Sequence, residues 1–202
     1  MQGLNRDELH FFRGLRKPEK IQDFLNAIPI NFERHGGTCM SPRRVLQRKK
    51  AHCLEGALFA AAALYVNGEE PLLLDLTSTK KDSDHVIALF KYKNYWGAMS
   101  KTNHAVLRYR DPVYKTVREL AMSYFNEYFL NNRKKTLRSF SRLLNLKKFD
   151  RRNWITDEKD LWYIVKALDV TPHYPFLPFS PLKLRPVDGI EVKAGNLFEY
   201  GP

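Results

Sequence analysis

HCLEGALFAAAALYVNG, residues 52–68, decides how the rest of the chain is read. It sets Cys53 at the mouth of a segment that is small and apolar along its length. The unbroken run predicts a helix, and Asn67-Gly68 supplies its C-terminal stop. A helix apolar on every side belongs inside a core, and its alanines let neighbours approach the backbone closely. A helix N-terminus carries partial positive charge and free N–H groups, so a thiol there ionises more readily than in water. A thiolate on a buried helix is a common start for a nucleophilic site, and a packed core cysteine is the competing reading.

Around this segment the chain has 202 residues, enough for one domain with a substantial core. Residues 1–202 therefore read as one unit: a helical part over 1–50, a core over 51–111, and helices with a proline-rich tail over 112–202. A hydrophobic fraction of 44% with 13% aromatics argues against disorder. No apolar run approaches the roughly 20 residues of a membrane span. The opening MQGLNRDELHFF lacks the charged-then-apolar layout of a signal peptide. Two cysteines, Cys39 and Cys53, make no disulfide framework, which points to a reducing, cytoplasmic setting. The net charge of +12 gathers before the cysteine (Arg43, Arg44, Arg48, Lys49, Lys50) and between Arg133 and Arg152. Such runs are commonly solvated faces, with nucleic acid or another polyanion as the alternative partner.

Leu4 to Leu15 and Glu19 to Ala27 carry apolar residues at helical spacing on either side of Pro18. Ser41-Pro42 predicts the start of a short basic helix ahead of the Cys53 helix. After Gly68 the period changes. Pro71–Leu76, Asp84–Lys91, Tyr95–Met99 and Ala105–Arg110 read as strands, and their short connections require antiparallel pairing. Asp111-Pro112 is expected to cap a long amphipathic helix running to Tyr128. Thr136 to Phe149 fits either a basic strand or a loop, and Thr156 is expected to cap a helix through about Leu168. The tail from Thr171 to Pro202 is expected to wrap the surface. This order of elements is α+β.

Thiol chemistry needs a base near the sulfur and a third group to orient that base. Among the six histidines His85 is best placed, because it opens a strand on the face of Ile87 and Leu89. A core histidine bonded to backbone is the competing reading. His52 adjoins Cys53 but points about 100° away on a helix, and His104 lies at a strand edge. Cys39, His52, Cys53, His85 and His104 show no zinc-binding spacing, and no phosphate-cradling glycine motif is present, so neither metal nor cofactor is expected.

Cys53-x-x-x-Ala57, Gly68 fifteen positions after the cysteine and Pro71 soon after resemble the core of the transglutaminase-like superfamily. The resemblance implies a papain-like fold, with Cys53 on a central helix packed on an antiparallel sheet. It implies His85 as the histidine that opens a later strand, with Asp84-His85-Val86 and Tyr95-Trp96-Gly97 in the expected order. The family's aspartate is due about four residues after Trp96, where this chain has Ser100. Ser100, Asn103 and Asp111 therefore stand as alternative orienters. The oxyanion donors implied are the Cys53 N–H and one from the preceding loop, with Gln47, six residues before the cysteine, as a candidate.

Two functions follow as expectations. One is acyl transfer through a thioester, hydrolysing or transamidating a peptide or amide substrate, with the basic rim favouring an acidic one. The other is the same fold without chemistry, whose basic faces bind nucleic acid or an acidic protein. An apolar patch at the tail would instead mark a structural partner in a larger complex.

Overall fold

Each of the first helices is set by a local signal. The computed structural model describes residues 3–178 and 184–201. In α1 (Arg6–Gly14) Glu8 N–H donates to Asn5 Oδ1 at 2.8 Å and Asn5 N–H donates to Glu8 Oε2 at 2.9 Å, a reciprocal cap. Helix α2 (Pro18–Ala27) opens on proline, and α3 (Pro42–Arg48) opens on proline behind the Ser41 N-cap. Helix α4 (Cys53–Val66) is buried along almost its whole length, and Ala57 and Ala60 to Ala63 are sealed from solvent. On one side Phe24 and Phe12 set their rings 4.5 and 5.1 Å from Phe59 of this helix. On the other lies the sheet.

Among the described residues seven strands form one antiparallel sheet. These are β1 (Leu72–Thr77), β2 (His85–Tyr92), β3 (Tyr95–Met99), β4 (Arg110–Tyr114), β5 (Ser139–Ser141), β6 (Leu144–Asn145) and β7 (His173–Pro175). The order is β4-β3-β2-β1-β5-β7, with β6 also paired to β1. Register follows alternation. Leu73, Val86, Ala88 and Phe90 face α4, while Leu74, Leu76, Ile87, Leu89 and Ala98 enter a second core with Leu120, Tyr124, Phe125, Phe140 and Phe176. The molecule is α+β, a sheet between two apolar layers.

Several elements differ from their sequence reading. Ala105 to Tyr109 is loop, and the strand is β4, which contains the Asp111-Pro112 pair expected to cap a helix. Strand β4 is a sheet edge, where proline removes no ladder bond. The helix after it, α5 (Val117–Met122), is capped by Thr116 with Glu119 and passes into a 3₁₀ turn at Phe125–Glu127. Its stripe still buries Leu120, Ala121, Tyr124, Phe125 and Tyr128. The ambiguous stretch 136–149 holds β5, β6 and the start of a 3₁₀ segment, Leu146–Arg152. Thr156 is not a helix cap: its hydroxyl donates to the Asn153 carbonyl, and α6 (Trp162–Asp169) begins later. The tail does not merely wrap the surface. It supplies β7 to the sheet and α7 (Gly189–Gly195), although residues 179–183 and 202 lie outside the described residues. No helix among the described residues is long and apolar enough to cross a membrane.

Candidate active site

A cavity of about 580 Å³ opens where α4 and β2 begin, and Cys53 and His85 both line it. Cys53 is partly exposed to that space. As the first residue of α4 its N–H has no intrahelical acceptor, so it remains available as a donor beside the sulfur. Burial opposes ionisation of the thiol, but hydrogen bonding and charge from His52 and His85 outweigh it and bring the thiol down to about 5.

His85 is held from behind by Ser100, which follows β3. Ser100 Oγ lies 2.7 Å from His85 Nε2 and 2.6 Å from the Leu107 carbonyl oxygen. A carbonyl can only accept, so the single hydroxyl proton goes to Leu107 and Ser100 Oγ accepts from His85 Nε2–H. That fixes the tautomer and leaves Nδ1 with its lone pair free. Ser100 is itself pinned by Gln22 of α2, which accepts from Ser100 N–H at 3.0 Å and donates to the Ser100 carbonyl at 2.8 Å. Leu107 sits in the left-handed region at φ 61°, a strained conformation for a leucine. Its N–H donates to Glu127 Oε2 at 2.8 Å, and the same oxygen pairs with Arg110 at 2.6 Å.

On the other side of the sulfur stands His52, the N-cap of α4. His52 Nε2 donates to the Thr38 carbonyl at 3.0 Å, which leaves Nδ1 as the nitrogen available to Cys53. Glu55, one turn into α4, is sealed from solvent and gathers the preceding loop around the helix start. It accepts from Thr38 Oγ1 at 2.8 Å, Met40 N–H at 2.9 Å, Asn31 Nδ2 at 3.0 Å and His52 N–H at 3.0 Å. Burial disfavours a charged His52 ring, but its bond to Cys53 and the charges of Glu55 and Cys53 prevail and push it up to about 9.

The remaining sequence candidates are distributed as follows. Asn103 lines the cavity, but its amide clamps the tail, donating to the Tyr200 carbonyl at 2.9 Å and accepting from Tyr200 N–H at 2.8 Å. Asp111 is exposed on β4 and Gln47 is exposed on α3; neither lines the cavity. No arginine of either basic run lines it, whereas Asp82, Asp84 and Glu127 do. Arg43 and Arg44 are engaged instead with Glu8 and Asp160, at 2.7 and 2.8 Å. Lys101 contributes to the wall, but its ammonium is buried on the Leu25 and Ile28 carbonyls at the end of α2. Among the described residues no group of histidine, cysteine and carboxylate side chains could hold a metal ion.

Comparison with protein-family models and with curated proteins finds no match for this chain. The site therefore rests on its own geometry. The sequence reading missed Glu55, Gln22, Leu107 and Glu127. Glu55 carried a usable signal, because it is the one charge in an otherwise apolar helix. Gln22 and Glu127 carried none, since their partners lie 78 and 20 residues away, and Leu107 carried none because it acts through its backbone carbonyl.

Proposed function

We propose that the protein is a thiol enzyme of transglutaminase-like, papain-like type that transfers acyl groups from a peptide or amide. Cys53 is the nucleophile, His85 the base and Ser100 the group that orients it. The observation that carries this reading is that Cys53 and the His85 ring, itself held by Ser100 Oγ at 2.7 Å, line one open cavity, with His85 among the groups that bring the thiol down.

The thiolate adds to the carbonyl carbon, and the developing oxyanion meets the Cys53 N–H. The leaving group departs with a proton from an imidazolium beside the sulfur, and the C–S bond remains as a thioester. His85 Nδ1 then takes a proton from the incoming water or amine, which adds to the thioester carbon. The C–S bond breaks and the thiolate returns. Ser100 holds the His85 ring but supplies no anion, so the imidazolium form of His85 gains less than it would beside an aspartate. The lining carboxylates Asp82, Asp84 and Glu127 offer no preference for an acidic substrate, so that expectation is not carried forward. Free thiols suit a reducing, cytoplasmic setting.

The test is acylation by p-nitrophenyl acetate, followed by p-nitrophenol release and intact mass. A burst near one equivalent with one acetyl group on Cys53 supports the reading. Acetylation spread over surface lysines, with no burst, overturns it and leaves the alternative of an inactive fold binding polyanions through its exposed arginines and lysines. That alternative predicts salt-sensitive polynucleotide binding.

A further inference from the structure

We propose that the resting site keeps the Cys53 proton on His52, with Glu55 and Glu33 holding that charge, and leaves His85 neutral. The inference rests on the thiol chemistry proposed above and assigns the charge within it.

Geometry separates the two histidines. Among the described residues the hydrogen-bond partner of His85 Nε2 is the Ser100 hydroxyl, whose proton is committed to the Leu107 carbonyl. A neutral hydroxyl orients a ring but does little to stabilise an imidazolium. Around His52 the setting is reversed: Glu55 Oε1 lies 3.5 Å from its Nε2 and Glu33 Oε1 3.7 Å away, while the Thr38 carbonyl takes the Nε2 proton. The hydrogen-bond donors that surround Glu55 are neutral amides and a hydroxyl. Among the described residues His52 is the only basic side chain in ion-pair range of this buried carboxylate. A buried carboxylate without a cation is strongly disfavoured, so Glu55 draws a proton onto the ring as Cys53 does from the other side. The carboxylate that a thiol site commonly places behind its base is therefore present here, but behind the other imidazole.

The step is a proton relocation: the S–H bond of Cys53 breaks, an N–H bond forms on His52, and the pair stays neutral as a whole. The titratable groups around it are Cys53 and Glu55 on α4, Glu33 and Cys39 on the preceding loop, His85 across the sulfur, Asp75 on β1 and Tyr128, with Asp82 and Asp84 on the cavity wall. In acylation the stored proton leaves with the amine. In deacylation His85 draws a proton from the incoming nucleophile, and transfer between the rings past the sulfur resets the site.

Alkylation of Cys53 by iodoacetamide tests this, with rates read by peptide mass from about pH 4 to 9 in the full chain and in His52→Gln, His52→Lys and His85→Gln. The expected result is a midpoint raised by about two units in His52→Gln, largely restored in His52→Lys, and raised by less than about one unit in His85→Gln, which loses a hydrogen bond to the sulfur but not the stored charge. A midpoint raised by about one unit or more in His85→Gln, or unmoved in His52→Gln, overturns the assignment while sparing the thiol chemistry. An unchanged chain whose midpoint sits near the ordinary thiol value of about 8.5 overturns both. Should His52→Gln fail to fold, the His85→Gln profile alone still decides, because a midpoint raised there by less than about one unit supports the assignment and one raised by about one unit or more defeats it.

Discussion

Cys39 and Cys53 are both free thiols. Burial opposes ionisation of each, and the rest of their surroundings then act in opposite directions. At Cys39 burial is joined by the charges of Glu55, Asp160 and Glu33, which outweigh a backbone bond from Leu161, and the thiol is pushed up to about 12. At Cys53 burial is overcome by His52 and His85, and the thiol falls to about 5. Glu55 belongs to both neighbourhoods: it opposes a thiolate at Cys39 and supports the His52 charge beside Cys53. A buried cysteine is inert or reactive according to the charges that share its pocket, and depth alone does not decide.

The sharpest break in this comparison comes from removing each sulfur. Cys53→Ala should abolish thioester formation and lower p-nitrophenyl acetate turnover at least about a thousandfold, toward the residual rate of such sites without a nucleophile. Cys39→Ala should leave turnover as it was, and an equal loss in both variants would erase the distinction.

His85→Ala comes next, with kcat expected to fall roughly a hundredfold to ten-thousandfold in steady-state assays. A change confined to KM would mean that the ring binds substrate and moves no proton. Labelling of the native chain at neutral pH gives the direct contrast. Ionisation favours Cys53 by about five decades, and the lower nucleophilicity of an acidic thiolate returns about three of them. Cys53 should therefore alkylate at least about a hundred times faster than Cys39, and equal slow labelling of both would count against a poised thiolate.

Ser100→Ala should lower kcat about tenfold, the value of one buried hydrogen bond that fixes a tautomer. An unaffected rate would show that the His85 ring is held by packing alone. The smallest effect concerns Gly56, where an added Cβ would press on the Cβ of Lys101, the residue after Ser100. Gly56→Ala should lose roughly 1–3 kcal/mol in urea unfolding, although alanine ordinarily favours a helix. It should slow Cys53 turnover and leave Cys39 labelling untouched.

Much of the frame was legible from local pattern. The Cys53 helix, the strands from Leu72 to Met99 and the helical first quarter follow from runs and periods that operate within a dozen residues. His85 was legible because a histidine opening an apolar strand is conspicuous, and Ser100 because it occupies the place where an acid was sought. The Asp111-Pro112 pair misled, since the same dipeptide serves a helix start or a sheet edge, and only a neighbour in β3 tells which. Gln22 was invisible because it meets Ser100 across 78 residues of chain.

Local order in the chain was enough to place a thiol at the amino end of a buried helix, ahead of an antiparallel sheet whose strand begins with an imidazole. Such features depend on which side chains recur at which short interval, and a linear string records that. Which imidazole takes the proton depended instead on long-range assembly: where the loop from Asn31 to Met40 delivers its carbonyl and carboxylate, and what stands behind each ring. Charge acts through space over a few ångströms, and folding alone sets those distances.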